Sequence, residues 1–164
     1  MSLLDNEPVK RAEKSLKKFD QELNVIVLEN SARTAKDAAI SLNCDVGAIV
    51  KSLLFRTEYS FILCLVAGDK RCSLNKLKKL TNEKNISMAT PEEVKNQTGY
   101  TIGGVSPVGH LNLVQILIDN SLERFNDLYA AAGHPNCVFK INFENLKKIT
   151  NGKIKELIEW DNQN

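Results

Sequence analysis

The sequence predicts one mixed α/β domain with antiparallel hairpins. Three observations carry this. Apolar stripes at spacings of three and four mark helices, short β-rich runs mark strands, and the two mix without the regular strand–helix–strand rhythm of a parallel fold. The 164 residues suit one domain and are enough to bury a core without disulfides. Hydrophobic residues at 43% and charged residues at 26% exclude wholesale disorder.

Val9, Ala12, Leu16, Phe19 and Leu23 place one apolar stripe on a helix over 7–22, with Asp5 or Asn6 as cap. Residues 25–28 read as a short strand. Thr34 followed by Asp37 fits a capping box for a helix over 35–42, and 43–47 is a turn. The runs 48–56 and 59–67 form a hairpin joined at Thr57 and Glu58. Ser73 caps a helix carrying Leu74, Leu77 and Leu80. Thr90, Pro91 and Glu93 open another helix, which Gly99 ends. A buried strand over 114–118 precedes a second hairpin, 128–132 with 138–141. Leu146 to Ile149 lie on a helix after Asn142, and Ile154, Leu157 and Ile158 have the spacing of a final one.

No apolar run approaches the ~18 residues of a membrane span, and the first residues lack a basic stretch followed by an apolar one. The expected location is the cytoplasm. Cys44, Cys64, Cys72 and Cys137 show no C-x-x-C pair, so neither a zinc site nor a dithiol motif is expected. A net charge of +2 is too small to mark a nucleic-acid binder by bulk electrostatics; contact with RNA must come from a local patch or pocket.

Three features can carry chemistry. The segment from Gly99 to His110 holds four of the chain's eight glycines and the pair Ser106–Pro107. Such a loop can aim several amides at one oxygen, or can be a tight structural turn. Lys51 shares a strand face with Ile49, Leu53 and Phe55. A lysine there is costly unless its ammonium reaches water or an anion. It is either a phosphate ligand at a pocket mouth or a snorkelling, edge-protecting side chain. The third feature is the turn Gly133–His134–Pro135–Asn136. His110 and His134 are the only histidines, neither with a partner at metal-ligand spacing, and no Ser-His-Asp or Cys-His set can be assembled.

These residues carry a resemblance. Arg33–Thr34–Ala35 with Asp37–Ala38–Ala39, the strand 49–55 around Lys51, Gly68–Asp69–Lys70–Arg71, the loop 99–110, and Ala131 to Asn136 occur in the order seen in the YbaK family. Its members are freestanding aminoacyl-tRNA deacylases related to the editing domain inserted in bacterial prolyl-tRNA synthetase. The likeness covers about 25–158. It implies a single domain with a mixed, mostly antiparallel, barrel-like sheet surrounded by helices, in which 1–24 is an N-terminal helix packed on a deacylase domain over 25–160.

The resemblance further implies hydrolysis of a small mischarged amino acid, alanine or a similar aliphatic residue, from tRNA(Pro). Cys-tRNA(Pro) deacylation and a non-catalytic tRNA- or synthetase-binding module are the alternatives. The partners implied are the tRNA 3′ acceptor end and prolyl-tRNA synthetase, for a monomer or homodimer, with no membrane, metal or cofactor. Lys51, Gly103 and Gly104 would act at the reacting end, Lys51 on the terminal nucleotide's phosphate and the glycine loop on ester and water. Thr34, Ile102, Ser106, Pro107, Gly109, His110, Gly133 and His134 would line the binding pocket. An aminoacyl ester is already activated, so a site without a triad suffices if it positions water and stabilises the oxyanion.

Overall fold

The computed structural model describes residues 2–30 and 32–159; Met1 and Trp160, the outer limits expected for the two segments of the chain, lie outside them. The sheet is built on the predicted hairpin, β2 (Ile49–Arg56) and β3 (Phe61–Ala67), paired from Val50↔Ala67 to Arg56↔Phe61. The connection spans 57–60 rather than two residues. The Thr57 amide donates to the Ser60 carbonyl at 2.8 Å, and Tyr59 projects into solvent. Both faces of β3 are covered. Leu63, Leu65 and Ala67 enter the main core, and Ile62, Cys64 and Val66 enter a second cluster, so this strand reads as a continuous apolar run.

Around the hairpin the pairing is mixed. β6 (Gln115–Asp119) runs parallel to β3, and β9 (Lys153–Lys155) parallel to β6. On the other side β7 (Leu128–His134) runs parallel to the start of β2. β8 (Cys137–Ile141) is antiparallel to β7, and β1 (Ile26–Val27) to β8. β5 (Ser87–Met88) meets the end of β2, and β4 (Arg71–Cys72) pairs with β10 (Ile158–Glu159) in a small second sheet.

The helices begin where the sequence places their caps. Thr34, Ser73, Thr90 and Asn142 each accept a backbone N–H at the third helical position, opening α2 (Ala35–Leu42), α3 (Leu74–Thr81), α4 (Pro91–Thr98) and α5 (Phe143–Thr150). Asn43, Asn82 and Asn151 end α2, α3 and α5 at positive φ, a conformation asparagine tolerates. The first helix, α1 (Glu7–Phe19), is shorter than expected. It buries Val9, Ala12 and Leu16, leaves Phe19 partly exposed, and its cap residue Asn6 makes no side-chain cap bond.

The expected final helix does not form. Its apolar residues have helical spacing, but Asn151 at φ 54° and Gly152 stop α5, and the chain leaves in extended form. Ile154 pairs with Ile118 and Ile158 with Cys72. Asp119 secures this ending: fully buried, it accepts the Leu157 amide at 2.6 Å on one oxygen, and the Ser121 amide at 2.9 Å and the Ser121 hydroxyl on the other.

The glycine-rich loop is tied to α1. Arg11 donates through Nε to the Gly109 carbonyl at 2.8 Å and lies 4.7 Å over the Tyr100 ring. The Tyr100 hydroxyl donates to the Val108 carbonyl at 2.7 Å, and burial pushes its pKa up to about 12. His110 stands edge-on to Tyr100, its Nε2 2.6 Å from the Ser106 carbonyl. A carbonyl only accepts, so Nε2 carries the hydrogen.

Two outcomes follow from these ties. Asp119→Ala removes the acceptor of three buried donors and is expected to cost about 2–3 kcal/mol, read as a lower urea midpoint at unchanged slope. Burial lowers the His110 pKa, against a Ser106 hydrogen bond that raises it. The unfolded chain therefore takes up this proton first as pH falls. His110 contributes its full stability above about pH 6.5 and loses it towards the lower folded-state pKa. Urea midpoints at pH 7 and pH 5 are expected to differ less in His110→Gln than in the natural chain; an equal difference removes His110 as a cause.

Candidate active site

β2 has a gap on one edge. β7 pairs with it only at Ile49↔Tyr129 and Val50↔Ala130, and β5 only at Phe55↔Met88 and Arg56↔Ser87. The Ile49 carbonyl accepts Gly68 on the β3 side, and the Leu54 carbonyl accepts Ala89 on the opposite side. Backbone groups alternate along an antiparallel strand, so the Ser52 amide and carbonyl face the gap. A hollow of about 310 Å³ opens there. One wall is residues 49–53. The others are the lead into α2 (Ala32 to Ala35), the loop at Ile102, Gly103 and Val105, and Tyr129, Ala131, Pro135 and Val138 from β7, its turn and β8. The lining is mostly apolar with a few polar groups, the composition of a small-ligand site.

Lys51 sits in this wall for a packing reason. On its face of β2, Ile49 joins an apolar cluster with Ala38, Ala39 and Val138, while Leu53 and Phe55 join another with Leu77 and Val66. Lys51 lies between the two, half-buried, and its Nζ donates to the Lys70 carbonyl at 2.5 Å. Burial lowers its pKa, the Asp69 carboxylate and Cys72 oppose this, and Arg71 adds to the lowering. An ammonium has three donors, so two N–H groups remain for a ligand.

The expected site residues fall into three places. Lys51, Thr34, Ile102 and Gly103 line the hollow together. Thr34 also caps α2, its hydroxyl accepting the Asp37 amide at 3.1 Å, and Ile102 is largely exposed at the mouth. Gly104, Gly133 and His134 form the contact behind the loop. Gly104 donates to Thr101, its carbonyl accepts the Gly133 amide at 3.1 Å, and a Cβ on it would stand 2.9 Å from the His134 backbone. A valine at 104 would therefore push the loop off β7 rather than simply fill the hollow. Gly133 has φ 95°, and its missing Cβ makes room for Pro8 at the start of α1. His134 accepts the Asn136 amide on Nδ1 at 3.0 Å.

Pro107, Gly109 and His110 line a different hollow beside α1, with Ser15 and Lys18. Ser106 is fully buried behind the loop, its hydroxyl accepting the Val108 amide at 3.4 Å. In the first hollow, the Gly103 amide makes no internal hydrogen bond among the described residues, unlike that of Gly104. The amides of Ile102 and Val105, which line the same hollow, likewise make none, so this stretch of the loop keeps unused donors beside the hollow.

Sequence reasoning missed Ser52, Tyr129 and Arg33. The Ser52 hydroxyl is shielded and has no partner among the described residues. A small polar residue inside an apolar strand was a usable signal for it. Arg33, immediately before the cap of α2, adds a second cation to the lining. Among the described residues no three His, Cys, Asp or Glu side chains converge as a metal site, and no helix is long and apolar enough to cross a membrane.

This geometry has relatives. Over 94% of the chain the fold matches, with TM-score 0.90 and 36% identity, 99% of a crystal structure described as a candidate trans-editing enzyme for prolyl tRNA synthetase. The protein YwhH of Bacillus subtilis is 32% identical over 137 residues, 83% of this chain and 87% of its own length. The proline–tRNA ligase of Kosmotoga olearia is 34% identical over 119 residues, which are 73% of this chain but only 19% of the ligase. The model of the aminoacyl-tRNA editing domain matches residues 29–149. The chain thus belongs to the aminoacyl-tRNA editing domain family.

Proposed function

We propose that the protein is a hydrolase that clears a small mischarged amino acid, alanine before others, from tRNA(Pro). The observation that carries this is the meeting of a half-buried ammonium and an open loop amide on one apolar hollow of about 310 Å³. That volume lies at the lower end of ligand pockets, roughly 300–1,000 Å³, and suits a small aminoacyl group with its ribose. Lys51 offers a charge-assisted contact to the terminal nucleotide's phosphate. On this reading the Gly103 N–H donates to the ester oxygen and stabilises the oxyanion formed when water attacks. The ester carbon gains the water oxygen, the ribose oxygen leaves with a proton, and the free amino acid departs. No protein nucleophile is needed, because the adjacent ribose hydroxyl can assist cleavage of its own ester.

The size of the hollow supplies the discrimination. A synthetase pocket separates amino acids differing by one methylene by only about 1–3 kcal/mol, so a second sieve is needed. On this reading the hollow, with Ala38 and Ala131 in its lining, takes the alanine side chain and rejects the larger proline ring. The supports are the family membership and the cavity; tRNA and synthetase as partners come with the same reading.

The test is a deacylation panel of Ala-, Cys-, Ser- and Pro-tRNA(Pro). Release of alanine with Pro-tRNA(Pro) left intact is expected. Preferential release of cysteine would make this a cysteine-clearing enzyme, and no release from any of them at micromolar protein would leave a binding module. Lys51→Ala is expected to raise KM about 10- to 100-fold, equivalent to roughly 1.5–3 kcal/mol for a hydrogen bond to a charged group. An unchanged KM removes Lys51 from substrate contact.

A further inference from the structure

Outside the hollow, Asp69 and Arg124 form a forked ion pair. Arg124 Nη2 donates to Asp69 Oδ1 at 2.8 Å and Nη1 to Oδ2 at 3.1 Å. The guanidinium is itself fixed, with Nε donating to the Ser121 carbonyl at 2.7 Å and the plane 4.8 Å over the Phe125 ring. Gly47 closes the other side: a Cβ there would lie 2.9 Å from Asp69 Oδ1 and 2.8 Å from Phe125. Asp69 has one place to be.

That place bears on Lys51. Asp69 lies in the tight turn between β3 and β4, closed by Lys70 N–H donating to Ala67 at 3.0 Å and by Gly68 N–H donating to Ile49 at 2.8 Å. The next carbonyl, that of Lys70, receives the Lys51 ammonium. Lys51 therefore bonds to a neutral carbonyl and makes no direct ion pair with Asp69, whose two oxygens point to Arg124. The charged and titratable groups facing Lys51 are Asp69 and Arg71 from the turn and β4, Cys72 beside Arg71, and Arg33 across the hollow. Asp69 is the carboxylate among them and opposes the effect of burial on Lys51 more than Cys72 does. It keeps a desolvated ammonium charged without cancelling it, because Arg124 occupies the carboxylate. Asp69, Arg124 and Lys51 together carry one net positive charge, which suits a phosphate.

We propose that the Asp69–Arg124 pair is a positioning device that holds the Lys51 ammonium in the hollow, charged and free of a direct carboxylate partner. Its value to catalysis rests on the reading of Lys51 as the phosphate ligand, but the device can be tested apart from it. The measurement is an NMR titration of Lys51 Nζ in the whole chain without substrate, for the natural protein, Asp69→Asn and Arg124→Gln. Asp69→Asn removes the counter-charge and is expected to move the Lys51 titration to lower pH. Arg124→Gln releases the carboxylate towards the ammonium and is expected to move it to higher pH, with a KM for Ala-tRNA(Pro) raised about tenfold. Arg124→Lys keeps the cation and is expected to leave the titration in place. An ion pair that only braces the fold would give shifts of the same sign in the first two variants, or none in Asp69→Asn, and either result overturns the proposal. A chain that hydrolyses no aminoacyl-tRNA yet shows the opposed shifts refutes the proposed function and keeps this one.

Discussion

An ammonium group in a sheet wall must be solvated by something other than bulk water, and much of this molecule follows from how that is done. Lys51 stands where two apolar clusters on one face of β2 stop short of each other. Removing a charge from water costs several kcal/mol unless hydrogen bonds and opposite charge replace the lost hydration. Here the Lys70 carbonyl supplies the bond and Asp69, beside it, the field. The same stretch of β2 is left unpaired at its edge, because β7 turns away after Val50 and β5 arrives only at Phe55. The cation and the open edge make one hollow, which neither would make alone.

The other side of the hollow depends on glycine for approach distances. The loop over 99–110 is held from behind by Arg11 and Tyr100 and set against β7 through Gly104. Gly133 in turn lets the start of α1 settle on β7. The N-terminal helix therefore braces the loop from behind without lining the hollow: its Arg11 grips the Gly109 carbonyl at one end, and the bonds of Gly104 to Thr101 and Gly133 hold the other. A loop braced in this way can serve as an oxyanion donor, since preorganised dipoles need no rearrangement when charge develops.

Much of the fold was legible as local chemistry. Thr34, Ser73, Thr90 and Asn142 announce helix starts because a side-chain oxygen one turn before an apolar stripe has few other uses. The β2–β3 hairpin was legible from its β-rich composition. The strands β4, β5 and β10 were not, since two residues show no period and pair only because distant chain comes past. The spacing of Ile154, Leu157 and Ile158 misled for the same reason: three apolar residues fit a helical stripe, but the Asn151–Gly152 break and the Asp119 anchor decided otherwise. At the site, sequence marked Gly104 and Gly133 by their loop and turn but not the close approach each allows, which is to backbone. His110 and Pro107 lay near the right glycines in sequence yet face α1 in space.

On the proposed function, the hollow beside Lys51, and not the one beside α1, receives the aminoacyl end. A non-hydrolysable amide analogue of 3′-alanyl-adenosine monophosphate, titrated into labelled protein and followed by NMR, tests this directly. The largest shifts are expected at residues 33–35, 51–53, 102–103 and 129–131. Shifts confined to residues 107–114 and α1, or none at saturating analogue, would contradict it.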